Sequence, residues 1–489
     1  MFTQHPDHAG RPYWHDKPFI ETRDELQECF LMMRDIGAQE VMWDWEGKLV
    51  DEAVMERLLA EHFAFFKKNP LGEKTFLTFR VPNPRVEPGY RLGRAFMVIL
   101  SARETARDAG LQNAPLFEVI LPMTESAEEL LTLHKNFERF AKAAEHSFGQ
   151  KANGARPLEV IPIFESVGTI LESGKILEQY LAGYRKLFKR LPPYIRPLCA
   201  RSDPALNSGI VAPTLAIKWA LSEYARFSEK TGVPTFPIIG PGTLPFRGGL
   251  TPQNTDDFLE EFRGVRTTMI QSAFRYDYPL ADVKKGVNAI IRKAPTTKTQ
   301  MLSPQIGKDI EAMIPWFEEP YKQTVMKLAP LIQQVAADIP KRRERMQHTG
   351  LFGYSRGVGK FRLPRAIGFT ASCYSLGLPP ELFGVGKGIE RAQKEGKLRT
   401  VEMLYKNLKP SLLRAGRFLR KESLKELALT ELEREVASIE AYLGETLGPK
   451  SEAEKEHVRL SGKMLALLKA GKPLTKEIEK AAILRQAMG

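Results

Sequence analysis

Five short apolar runs, separated by long helical patterns, constrain this 489-residue chain more than any other feature. Thr75–Phe79, Phe117–Pro122, Glu159–Phe164, Tyr194–Cys199 and Thr235–Ile239 each read as a strand. Helical spacing of apolar residues marks 24–36 and 51–68, the latter through Leu58, Leu59, Phe63 and Phe66. It recurs at 126–146, 173–190, 213–231 and 254–265. Strands alternating with helices every 35–45 residues or so indicate parallel β/α units. The fold class expected is α/β, a single large β/α (TIM-like) barrel with many additional helices, one domain over residues 1–489. Fewer than eight strands stand out, so closure of the barrel is inferred. From about residue 386 the chain reads as mostly helical, with patterns at 422–444 and 451–470 broken by Gly448-Pro449. This C-terminal region is expected to pack on the barrel or on another subunit.

Polar residues stand at or just after the strand ends: Arg80, Glu125, Glu165, Asp203 and Arg247. In a β/α barrel the loops after the strand C-termini meet on one face, where active sites lie. Two carboxylates converging there, such as Glu165 and Asp203, suit Mg²⁺ or Mn²⁺, since hard cations prefer oxygen ligands. An isolated carboxylate is more often a helix cap or a surface ion pair. Arg247 lies in Gly240-Pro241-Gly242-Thr243-Leu244-Pro245-Phe246-Arg247-Gly248-Gly249. Glycines let backbone approach a ligand, and arginine offers a planar fork to phosphate or carboxylate. The string fits neither the Walker A nor the dinucleotide-binding pattern. His5 and His8 lie near His15, but Pro6 disturbs any helical presentation of a metal site.

The net charge is +13, with a pI of about 9.4. A basic chain binds nucleic acid or draws small anions into a cleft. Here arginines recur beside glycine and proline in loops, and no nucleic-acid motif or interleaved aromatic pattern appears, which favours small anions. Cys29, Cys199 and Cys373 are scattered, which suits a reducing compartment and no disulfide framework. Asp7, Arg11, Asp16 and Lys17 crowd the start of the chain, unlike a signal peptide. No apolar stretch approaches the ~20 residues of a membrane helix. A cytoplasmic protein without membrane or nucleic-acid partners is expected. The basic, glycine-rich stretch Lys341–Arg365 reads either as a lid or as a solvated connector.

Taken together, six strings resemble the phosphoenolpyruvate carboxylase family. Thr3-Gln4-His5-Pro6-Asp7 resembles its Thr-Ala-His-Pro-Thr motif, whose histidine is catalytic. Thr78-Phe79-Arg80-Val81-Pro82 stands where the family has a substrate-site arginine. Ile161-Pro162-Ile163-Phe164-Glu165 is similar to Pro-Leu-Phe-Glu-Thr, with a metal-binding glutamate. Arg201-Ser202-Asp203-Pro204-Ala205-Leu206-Asn207 resembles Tyr-Ser-Asp-Ser-Asn, with a metal-binding aspartate. Phe246-Arg247-Gly248-Gly249 resembles the Gly-Arg-Gly-Gly loop, and Arg365-Ala366-Ile367 the Arg-Ala-Ile-Pro segment, whose arginine contacts substrate phosphate. The matches follow the family's order from residue 3 to 367. Met42-Trp43-Asp44-Trp45-Glu46-Gly47-Lys48 and Leu121-Pro122-Met123-Thr124-Glu125-Ser126 are typical of its compact, archaeal-type branch.

The resemblance implies Mg²⁺-dependent carboxylation of phosphoenolpyruvate by bicarbonate, giving oxaloacetate and phosphate through carboxyphosphate and an enolate. It implies His5 as base, Arg80, Arg247 and Arg365 on the substrate anions, Glu165 and Asp203 on the metal, and a homotetramer. His8 matches no catalytic position. Departures are plain. One arginine–glycine loop is evident where long forms have two, and Asn207 and Ser208 stand where a lysine follows the metal aspartate. Arg485–Gly489 resembles the long enzymes' C-terminal tail only loosely. The competing readings are another Mg²⁺-dependent barrel, lyase- or aldolase-like, and a basic nucleic-acid-binding scaffold with steeply salt-dependent binding.

Overall fold

The structure, a computed structural model, describes residues 1–111, 114–148, 157–344, 357–358 and 361–489. Most of the stretch read as a lid, at 345–356 and 359–360, lies outside the described residues.

Seven strands pair in sequential order, all parallel: β1 (Glu40–Asp44), β2 (Phe76–Arg80), β3 (Glu118–Leu121), β4 (Glu159–Phe164), β5 (Leu198–Ala200), β6 (Ile238–Gly240) and β7 (Thr267–Thr268). The α/β class and the parallel β/α order agree with the reading of the sequence. Strand β1 and the two-residue β7 were not legible there. Residues 1–3 lie against both sheet edges: Phe2 bridges Val41 and Ile270 in parallel. Phe2 N–H donates to the Glu40 carbonyl, and Thr3 N–H to that of Ile270.

Both faces of the sheet are apolar, as parallel sheets covered by helices require. One face gathers Met42, Ile120, Ile161, Leu198, Ile238 and Met269 into a cluster of its own. The other joins the large core formed with the surrounding helices. At the strand N-termini, Arg196 pairs with Glu40 at 2.7 Å and Glu118 at 2.6 Å. This buried ion network fills that end of the sheet.

The helix Pro304–Ala337 contains Pro315, Pro320 and Pro330, a content that argues against one continuous helix. It persists because Pro315 and Pro330 lie on its exposed side. The carbonyls they leave without a donor belong to Glu311 and Met326, both exposed to water. Its buried side packs against the helices Val211–Thr231 and Val385–Lys394. Beyond its end the chain delivers Ile339 to Arg343 to the cavity described below. The single pattern at 422–444 is two helices, Lys421–Glu426 and Thr430–Leu443. Ala428 adopts φ +51 between them, a left-handed turn that ends the first. All three cysteines are buried and unpaired.

His134, 3% exposed, meets the Tyr180 hydroxyl at 2.8 Å through Nε2. Burial holds its pKa down at about 4, against 6.5 for a free histidine. Between those values the unfolded chain binds a proton that the folded chain refuses, so this group's contribution is lost as pH falls. In urea unfolding, the parent's stability advantage over His134→Gln should shrink by about 1.4 kcal/mol per pH unit from about pH 6.5 to 4.5. A gap that stays constant with pH would show that the ring titrates normally.

Candidate active site

Parallel strands end on the same side, and there a cavity of about 380 Å³ opens. It is lined by His5, Arg80, Glu165, Asp203, Arg247 and Arg365, the six residues that the family resemblance assigns to the site. Glu125 does not join them: it lies at the surface, 58% exposed, paired with Arg85. In all, seven lysine and arginine residues and three acidic ones, Glu46, Glu165 and Asp203, line the wall, although Arg343 is paired with Glu25 and Glu28 and Arg342 with Glu479, outside the lining. Such a wall draws anions and stabilises them once bound.

Each residue is presented by a local feature of the chain. His5 follows the segment that bridges both sheet edges, and its Nδ1 meets Thr3 Oγ1 at 2.9 Å. Its carbonyl accepts from the Ser272 hydroxyl. His8, by contrast, is fully buried, with Nδ1 against Ser272 Oγ at 2.9 Å and Nε2 against the Pro18 carbonyl at 2.8 Å. Burial pushes its pKa down to about 3, so it stays neutral and structural.

Arg80 closes β2 in a carboxylate clamp. Its Nε and Nη2 donate to the two Asp44 oxygens at 2.8 and 2.7 Å, and Nη1 pairs with Glu46 at 2.8 Å. Burial opposes its charge, yet Asp44 and Glu46 hold the guanidinium well above its ordinary pKa. Arg365 immediately precedes the helix Ala366–Ser375 and touches the same Glu46 at 3.3 Å. About a third of its side chain is exposed. Of these arginines it is the least enclosed.

Arg247 sits in a one-turn helix, Pro245–Arg247, in the loop after β6 and is 1% exposed. The glycines around it have separate reasons. A Cβ at Gly242 would lie 2.9 Å from Arg247 Cζ, so only glycine lets the guanidinium lie across this turn. Gly248 adopts φ +117, and a Cβ there would meet Pro241 at 2.8 Å and Arg201 at 2.9 Å. Burial lowers the Arg247 pKa, and Asp7 works against that shift.

Glu165 follows β4 and accepts weakly from Met123 N–H at 3.4 Å. Asp203 stands in the first turn of the helix Ser202–Ser208, directly after β5. Among the described residues no group of three or more His, Cys, Asp or Glu is disposed to hold a metal. Two carboxylates in a cavity open to ligand still fit Mg²⁺, which takes one or two and completes its shell with water and substrate oxygens.

The phosphoenolpyruvate carboxylase family model matches residues 1–489. The chain belongs to the phosphoenolpyruvate carboxylase family. It is 40% identical over 446 residues to the phosphoenolpyruvate carboxylase of Pyrococcus horikoshii, covering 89% of this chain and 91% of that protein. The phosphoenolpyruvate carboxylase of Metallosphaera sedula is 36% identical over 514 residues, covering 100% of this chain and 99% of the relative. That of Oenococcus oeni is 36% identical over 500 residues, covering 100% and 98%. The chain is therefore a carboxylase of the short, archaeal-type form, matched along its whole length.

The carboxylase's cavity also contains residues that sequence reading passed over. Glu46, 2% exposed, ties Arg80 to Arg365. It lies in the string at 42–48 that served only as a mark of the branch. The available signal was its place three residues beyond an apolar run, Val41-Met42-Trp43. Asp7 and Gln271 hold Arg247, and Arg342 and Arg343 line the far wall. No helix among the described residues is long and apolar enough to cross a membrane.

Proposed function

We propose that this cavity catalyses Mg²⁺- or Mn²⁺-dependent carboxylation of phosphoenolpyruvate by bicarbonate, releasing oxaloacetate and inorganic phosphate. One observation carries the reading: six residues spread from 5 to 365, three of them arginines, line a single cavity. Phosphoenolpyruvate brings a phosphate and a carboxylate, and such a wall compensates both.

Arg365 and Arg247 hold the phosphate while bicarbonate attacks phosphorus and carboxyphosphate forms. Arg80, kept charged by Asp44 and Glu46, steadies the same anions. His5 accepts a proton from carboxyphosphate as it collapses to CO₂ and phosphate, general-base work for which imidazole is the commonest side chain. The enolate then captures CO₂. Glu165 and Asp203 would hold the divalent cation, which when bound supplies charge stabilisation for the enolate oxygen. Burial of Arg80 and Arg247 sets their donors in place before the ligand arrives, so little reorganisation accompanies the reaction.

The finer reading of the fold is an eight-stranded barrel in which residues 1–3 supply the last strand. The bridges of Phe2 to Val41 and Ile270 support it. Assembly as a homotetramer follows from the resemblance alone. The test is a coupled assay for oxaloacetate, with and without bicarbonate and Mg²⁺. Formation that needs both is expected. Phosphate release indifferent to bicarbonate would replace this reading with that of another phosphoenolpyruvate-binding enzyme.

A further inference from the structure

The Arg247 guanidinium carries five N–H donors. Four of them have partners among the described residues. Nε donates to Ser202 Oγ at 3.1 Å. Nη1 donates to Asp7 Oδ2 at 3.0 Å and to the Gly489 carbonyl at 2.5 Å, and Nη2 donates to Gln271 Oε1. One N–H remains for a ligand. Arg247 is thus held from four parts of the chain: the turn after β5, the loop after β7, the segment that carries His5, and Gly489.

Asp7 supplies the side-chain carboxylate in that cage, and it is itself fixed by hydrogen bonds. It is 0% exposed. Its Oδ1 accepts from Ala273 N–H at 2.7 Å and lies 3.0 Å from Ser272 Oγ. Its own N–H donates to Ser272 Oγ at 3.0 Å, and its carbonyl accepts from Met488 N–H at 2.7 Å. The same Ser272 hydroxyl reaches the His5 carbonyl. Asp7 therefore ties the arginine directly to the segment that carries the histidine, although 240 residues separate Asp7 from Arg247 in the chain.

We propose that Asp7 is a positioning residue of the carboxylase, orienting the Arg247 guanidinium so that its remaining donor meets the substrate anion in register with His5. This rests on the function proposed above. The chemistry of the side chain explains the requirement. Two oxygens are needed, because donors approach from opposite sides: the β7 loop on one, Arg247 on the other. An amide has a single oxygen. In Asp7→Asn that oxygen serves Ala273 N–H, and the amide N–H₂ is left facing Nη1 of Arg247, donor against donor. The guanidinium must turn away. Misplacement on the scale of 1 Å costs about 10²-fold in rate.

The test measures phosphate and oxaloacetate together, in the presence of bicarbonate and Mg²⁺, for the parent, Asp7→Asn and Asp7→Glu. The parent should release one phosphate for each oxaloacetate. A parent that makes no oxaloacetate removes the proposed function itself, whatever the variants do. Asp7→Asn should make oxaloacetate roughly 10²-fold more slowly. It should also release more phosphate than oxaloacetate, the difference appearing as pyruvate. Asp7→Glu, which keeps a carboxylate against Arg247, should bring the ratio back towards one. Loss of folded protein lowers both products equally and cannot move the ratio. A slow Asp7→Asn enzyme whose ratio stays at one, or an enzyme of parental rate, overturns the proposal. Should Asp7→Asn fail to fold, Asp7→Ser keeps an acceptor for Ala273 N–H, lacks the contact to Arg247 and carries the same expectation.

Discussion

His5→Asn is expected to abolish oxaloacetate formation while leaving some bicarbonate-dependent release of phosphate from phosphoenolpyruvate. Asparagine keeps polar atoms in the cavity and perturbs the Thr3 contact little, but it cannot take a proton near neutral pH. General base catalysis is worth about 10²–10⁴-fold. The loss should therefore fall on the step in which carboxyphosphate gives up its proton. Formation of carboxyphosphate depends on the arginines and the cation, and it should survive in part. The enolate, left without CO₂, is protonated and lost as pyruvate. The decisive measurement is the ratio of phosphate to oxaloacetate with and without bicarbonate. A His5→Asn enzyme with full carboxylase activity removes the histidine from the mechanism.

Asp203→Asn should raise the Mg²⁺ or Mn²⁺ concentration needed for half-maximal rate by about 10²-fold or more. Loss of even an outer-sphere partner costs a metal site about 10–100-fold, and an amide oxygen lacks the charge of the carboxylate it replaces. Glu165→Gln should act in the same direction. Glu125→Gln is the internal control: this residue also follows a strand, but it lies at the surface beside Arg85. Its metal dependence should match the parent's. Unchanged metal dependence in Asp203→Asn would refute the ligand assignment directly.

How much of this site was legible depended on the kind of information each residue carried. Glu165, Asp203 and Arg247 announce themselves because apolar runs precede them, and a parallel sheet turns strand ends into one face. His5 has no such setting. Its string became informative only beside the five other matches, and Phe2, bridging both sheet edges, is what carries it to the cavity. Glu46 and Asp7 stayed silent for a different reason. A carboxylate that orients an arginine is defined by where the arginine lies. Asp7 meets Arg247, and Glu46 meets Arg365, 319 residues apart, across the opening of the cavity. The continuous pattern at 422–444 misled because apolar spacing does not register a left-handed residue such as Ala428.

The sequence by itself determined the α/β class, the order of the parallel units and the family, together with the residue types that the cavity would need. Apolar periodicity and short collinear strings are local properties, and they can be read without knowing what lies across the fold. Only the tertiary structure decided which of those residues meet. It gathered all six at one cavity. It sent Glu125 to the surface. It showed Arg80 and Arg247 buried against carboxylates, while Arg365, paired with Glu46, keeps about a third of its side chain exposed. The physical reason is that an ion pair is set by distance and burial, quantities that arise only once the strands have been brought side by side.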